Sequence, residues 1–240
     1  MSTEHIVKSF DEELKQLSQM VAQMGGLAEA QLQAAIEALV ARDAEGAARV
    51  VQGDMRIDQL ERQISNQTIR MLALRQPMAQ DLREIVAALK ISSDIERIGD
   101  YAANVAKRAI ALTQSPPMRP VGGIARMGRL VQQIIKDVLD AYSDSDATKA
   151  VAAWKRDQEV DDMYNSLFRE LLTYMMEDPR NIGPSTHLMF IAKNIERIGD
   201  HATNVAEIIH FLVRGEDISE ARPKSDKTSF TVVNAPENKA

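Results

Sequence analysis

The chain repeats itself. Shifted by 100 residues, DIERIGDYAANVAK (Asp94 to Lys107) lies on NIERIGDHATNVAE (Asn194 to Glu207), with ten of fourteen positions identical. Upstream the offset becomes 103: Met24-Gly25 lies on Met127-Gly128, Asp54 on Asp157, Ile57 on Val160 and Asp58 on Asp161. The difference falls where each copy has proline, RQPMAQ in the first and MEDPRNIGPS in the second. A length change at a turn costs little. Two copies of one unit is therefore the first constraint on the fold.

Each unit reads as three helices. In the first they span roughly 3–41, 44–75 and 78–113. The second helix stops before Pro77, because the residue before proline is biased out of the α region. In the second unit the helices span roughly 124–142, 147–177 and 184–213, with SDSD (Ser143 to Asp146) as turn and cap. QSPPMRPVGG (Gln114 to Gly123) is rich in helix breakers and reads as a linker. The third helix of each unit carries a heptad seam: Ile91, Ile95, Ile98, Ala102, Val105, Ala109, Leu112, then Ile191, Ile195, Ile198, Ala202, Val205, Ile209, Leu212. Aromatics make up only 4%, and methionine occurs 12 times, which suits helices packed on helices. The expectation is an all-α protein of two tandem three-helix bundles with elongated antiparallel helices. The first bundle takes residues 1–113, the linker 114–123, the second bundle 124–214, and a polar, flexible tail 215–240.

Composition narrows the function. The net charge is −6 and no dense Lys/Arg block occurs, which argues against nucleic-acid binding and anionic-membrane anchoring. There is no cysteine, so thiolate sites and Cys nucleophiles are excluded. The N-terminus MSTEHIVKSF lacks a signal-peptide apolar core, and no run approaches the ~18 apolar residues of a spanning helix. A cytoplasmic location follows as the expectation, with membrane contact only through partners.

The chemistry sits in the repeated motif. Glu96, Asp100 and Asn104 recur as Glu196, Asp200 and Asn204, each set spaced i, i+4, i+8. At about 100° per residue the row lies roughly 140–220° around the helix from the seam, which predicts an outward-facing row. Asp54/Asp58 and Asp157/Asp161 form i, i+4 pairs on the second helices and are expected to flank their seams. Like charges at that spacing repel. Four converging carboxylates per unit would call for an oxygen-ligated cation. Gly99 and Gly199 mark a close approach, because an interior helical glycine costs about 1 kcal/mol. Arg97 and Arg197 would hold row carboxylates or an anion. His201 has Tyr101 in its place in the first copy, so it is incidental or makes the sites unequal. No inward Glu-x-x-His pair, His-Glu-x-x-His, phosphate-cradling loop or serine elbow is present. The reading is a metal-binding adaptor, not an enzyme. A carboxylate-bridged di-metal enzyme and a metal-free scaffold for basic partner surfaces stand as alternatives.

The doubled Glu-Arg-Ile-Gly-Asp with Asn four residues on resembles the PhoU family over about residues 4–214. The resemblance extends to Phe10, Leu14, Met24-Gly25, Asp54-x-x-Ile-Asp58, Gln76-Pro77 and Asp81-Leu82-Arg83. It implies two three-helix bundles, a homodimer, and multinuclear sites for iron, zinc, magnesium or manganese at Glu96/Asp100 and Glu196/Asp200. The Asp54/Asp58 and Asp157/Asp161 pairs would stand opposite. It also implies negative control of phosphate uptake and of the phosphate-starvation response, coupling the phosphate ABC transporter ATPase to a sensor histidine kinase at the inner membrane. One departure is that Asp178-Pro179 is not followed by Asp-Leu-Arg.

Overall fold

The computed structural model describes residues 3–222, and no strand occurs among them. The helices are α1 (Thr3–Ala41), α2 (Ala44–Gly53), α3 (Met55–Arg75), α4 (Ala79–Leu112), α5 (Val121–Asp144), α6 (Ala147–Trp154), α7 (Asp157–Glu177) and α8 (Ile182–Arg214). A 3-10 turn, Pro179–Asn181, leads into α8. Residues 223–240, most of the expected tail, lie outside the described residues.

The duplication is visible in the turns. Arg42 and Ser145 both adopt left-handed backbone, with φ of 56° and 52°. The next residue is an aspartate N-cap in each case. Asp43 accepts from the Gly46 N–H at 2.9 Å, and Asp146 accepts from Thr148 and Lys149 at 2.8 and 3.1 Å. Each aspartate's own N–H reaches back to the preceding helix, to Ala38 and Ala141 respectively, both at 2.9 Å. One sharp reversal, capped by one side chain, is thus used twice.

The expected second helix of each unit is not continuous. It breaks at Asp54 in the first copy and at Lys155-Arg156, just before Asp157, in the second. Asp54 keeps right-handed backbone and its carbonyl accepts from Ile57 and Asp58, so the break is a bend rather than a loop. Gly53 weakens the helix before the first bend. Neither glycine nor proline marks the second. Each bend places the first acid of its pair at the start of a new helix.

Both heptad seams are buried along their whole length. Leu17, Val21 and Met24 of α1 join the same core, with Phe10 and Leu14 packed at its edge. The two units share that core. Helix α1 packs on α4 and α5, and α8 packs on α4 and α5, which closes a ring of four long helices. The bent pairs α2/α3 and α6/α7 flank it, each completing a three-helix unit. Gly25 of α1 lies against Leu139 of α5, and Gly128 of α5 lies against Ile36 of α1. These contacts interchange under the 103-residue offset, so the units meet about a pseudo-two-fold axis. Helices α4 and α8 run antiparallel, as Asp94 meets His201 while Leu82 and Val86 share a groove with Ile208 and Phe211. No helix among the described residues is long and apolar enough to cross a membrane.

Candidate metal-binding site

The ring arrangement changes where the acid rows lie. Around α4 the seam occupies one arc, and a second buried stripe of Ser92, Gly99, Ala103 and Ala106 lies beside it. A further arc, bearing Asp94 and Tyr101, meets α8. The row of Glu96, Asp100 and Asn104 falls in the slot left between these faces. Counting angles from a single seam predicts an outward row; Glu96, Asp100, Asn104, Asp200 and Asn204 are half-buried and Glu196 is buried, because the long helices are covered on several sides.

In the first unit the slot is a half-open groove. Side chains of Glu96 and Asp100 are 25% and 39% exposed. Asp54 and Asp58 face them from the α2/α3 bend and the first turn of α3. An added Cβ on Gly99 would sit 2.9 Å from Ile57 and 3.1 Å from Asp54 Oδ1, so the glycine is what lets the bend approach α4. Gln31 of α1 fixes the junction: its Nε2 donates to Asp54 Oδ1 at 2.9 Å and to the Gly99 carbonyl at 3.2 Å. Burial pushes the Asp54 carboxyl up, Gln31 opposes this, and the charges of Asp100 and Asp58 add to the rise. Burial likewise raises Glu96, with Asp100, Asp58 and Glu61 adding to it against Arg97. Arg97 binds Glu96 at 3.3 Å and Asp100 at 3.0 Å from the outer side. Lys107 donates to Asn104 at 3.4 Å.

The second unit has the same positions in a different state. Asp157, Asp161 and Glu196 are only 3%, 3% and 5% exposed, so the pair expected to flank its seam is buried, and so is Glu196, which was expected to face outward. Lys193 binds Glu196 at 2.8 Å and lies 4.9 Å above the Tyr164 ring. Thr203 donates to Asp157 Oδ1 at 3.1 Å. Arg222, in the segment expected to be a flexible tail, fills the centre. Its Nε donates to Asp157 Oδ2 at 2.9 Å, one terminal nitrogen to Asn204 Oδ1 at 3.0 Å, and the other to Asp200 Oδ1 and O at 2.8 and 3.1 Å. Burial opposes its charge, but the Asp157 hydrogen bond and the charges of Asp157, Asp200 and Glu207 hold its pKa above the usual arginine value.

Two predicted residues work elsewhere. Arg197 lies 5.6 Å over the Tyr101 ring at the α4–α8 interface. His201 Nδ1 lies 2.7 Å from Asp94 Oδ1, which also accepts from Asn204 Nδ2 at 3.1 Å. His201 is therefore an inter-unit contact that reaches the second site only through Asn204. Sequence reading missed Gln31, Glu61, Lys193, Asp94 and Arg222. Three of these have no match in the other copy: position 103 beyond Gln31 is Ile134, beyond Glu61 is Tyr164, and 100 before Lys193 is Ser93.

The donor sets differ in what they suit. Five carboxylates influence one another in the first groove, all hard oxygen donors, and Arg97 engages two of them from outside. That set fits a hard divalent cation. Among the described residues, no three His, Asp or Glu side chains already stand close enough to hold an ion, so the acids would have to close in to bind one. The second set does not fit a metal as it stands, because a guanidinium already occupies it.

The PhoU domain model matches residues 21–109 and 124–209. A PhoU homologue of Caulobacter vibrioides, a phosphate-specific transport system accessory protein, is 56% identical over 95% of this chain and 99% of its own length. The crystal structure of PhoU from Pseudomonas aeruginosa is similar at TM-score 0.84 and 41% identity, covering 86% of this chain and all of that one. The phosphate transport system regulatory protein PhoU from Streptococcus pneumoniae is similar at TM-score 0.81 and 29% identity, covering 88% and all of that chain. The chain belongs to the PhoU family.

Proposed function

We propose that this protein is a regulatory adaptor of phosphate transport that restrains phosphate uptake and the phosphate-starvation response. The observation that carries this reading is the 56% identity, over nearly both full lengths, to a relative named a phosphate-specific transport system accessory protein. The partners are a phosphate ABC transporter ATPase and a phosphate-sensing histidine kinase, and the protein works as a homodimer in the cytoplasm, peripheral to the inner membrane through those partners. It is not an enzyme: its relatives are named for accessory and regulatory roles.

The first acid groove gives the adaptor its cation dependence. Asp54, Asp58, Glu96 and Asp100, with Asn104 at the end of the row, hold a divalent cation that offsets their mutual repulsion. Gln31 and Gly99 set the separation of the two walls. Iron, zinc, magnesium and manganese are the candidates, and the all-oxygen donor set favours the harder ions magnesium and manganese. A cation there would supply fixed positive charge at the α3–α4 surface and draw the α2/α3 bend onto α4.

The test is capture of the transporter ATPase and the sensor kinase on the immobilised chain, at high and low phosphate, with magnesium and with chelator. Retention of both partners, weakened by chelator and by Asp58→Asn/Asp100→Asn, supports the reading. Capture of neither partner under any condition would overturn it.

A further inference from the structure

The residues after α8 form a strap that folds back along it. Gly215, with φ of 76°, ends the helix, and its N–H donates to the Phe211 carbonyl at 2.8 Å. His210 Nδ1 lies 3.0 Å from the Glu216 carbonyl. Ile218 packs against the core, and Glu220 binds Lys155 of the α6/α7 bend at 3.1 Å. Arg222 then enters the acid site. From Gly215 back to Asp200, α8 covers about 22 Å at 1.5 Å per residue. The seven residues from Gly215 to Arg222 reach about 23 Å when extended. Because the strap bends at Gly215, Glu216 and Glu220, its backbone falls short of that full reach, and the long arginine side chain covers the remainder.

We propose that Arg222 is a tethered cation that closes the second acid site to metal ions, so that a divalent cation enters this site only when the strap is released. Three acceptor side chains that match those expected to bind a cation in the first unit, Asp157, Asp200 and Asn204, are held by the one guanidinium. An arginine brought in by a short tether acts at an effective concentration on the order of millimolar or more. Its planar fork also satisfies several oxygens at once, which a hydrated ion must lose water to do. Among the described residues the first unit has no counterpart: the chain leaving α4 continues into α5 and does not double back. The two halves thus carry the same acids with different attached cations: exposed Arg97 engages the first row from outside, whereas Arg222 fills the centre of the second.

This inference deepens the cation reading above but concerns the other half of the chain, and the two fail separately. The experiment counts Mn2+ bound per full-length chain by electron paramagnetic resonance of the free ion. It compares wild type, Arg222→Gln, Arg222→Gln/Asp157→Asn/Asp200→Asn, and a chain lacking Ser219. Arg222→Gln is expected to bind one Mn2+ more than wild type, and the triple variant to lose that ion. Deleting Ser219 keeps arginine and acids but shortens the strap, and is expected to behave like Arg222→Gln. If wild type binds none and Arg222→Gln binds one, the first-groove reading fails and this one stands. If Arg222→Gln and the shortened strap bind the same number as wild type, the second site takes no ion without its arginine and the proposal is overturned.

Discussion

Gly25 of α1 and Leu139 of α5 pack so closely that a Cβ on the glycine would overlap the leucine side chain, and Gly128 and Ile36 repeat the contact with the helices exchanged. The approach of α1 to α5 between the two units therefore uses a glycine from each copy. A Cβ on Gly128 would overlap Ile36 Cδ1, the end of a flexible side chain, so the helices need not part completely. Gly128→Ala is expected to cost about 1–3 kcal/mol. Ile36→Val removes the overlapping atom and should recover part of that loss. Urea denaturation of both single variants and the double variant measures the coupling.

Asp146 accepts two backbone N–H groups where Asp43 accepts one. Loss of such a cap costs about 0.5–2 kcal/mol. Asp146→Ala should fall nearer the upper end and Asp43→Ala nearer the lower. Thermal melts at fixed pH rank them.

The first groove sets a pH dependence. Asp54 and Glu96 have carboxyls raised above their usual values of 3.8 and 4.5, chiefly by burial. Across the window between those values and the raised ones, the native state holds more protons than the unfolded state, so stability falls as pH rises. The cost is fully present above the raised values and absent below the usual ones. In chelator, Asp54→Asn/Glu96→Gln should be more stable than wild type at pH 7, by about 1 kcal/mol or less after solvent screening. The gap should shrink as pH falls towards 4. Urea midpoints at several pH values read it; a gap that widens towards acid would mean these carboxylates are stabilising.

The duplication, the all-helical class and both heptad seams were legible in the sequence because burial of Ile, Val and Leu at regular spacing is a local signal. The approach marked by Gly99 was legible too, as the cost of a helical glycine needs a reason. The bends at Asp54 and Lys155-Arg156 were not, since only Gly53 hints at one of them. A single seam gives a helix one buried face, whereas α4 and α8 are each covered by four neighbouring helices, so the acid rows are less exposed than the seam alone predicts. Burial of Glu196 depends on Lys193, and that of Asp157 on Arg222, which is 65 residues away in sequence. Pairings of that kind leave no periodic trace, and a tail of polar composition gives no sign that one of its residues is an anchor.

The claim that matters most is that the groove between α3 and α4 takes a cation. Isothermal titration of magnesium into chelator-treated wild-type protein and into Asp58→Asn/Asp100→Asn tests it directly. Both residues lie outside the buried core, so folding should persist, and circular dichroism checks that. The account predicts saturable binding to wild type that the double variant loses, with protons released on binding at mildly acid pH. Equal binding by the two proteins, or none by wild type, would contradict it.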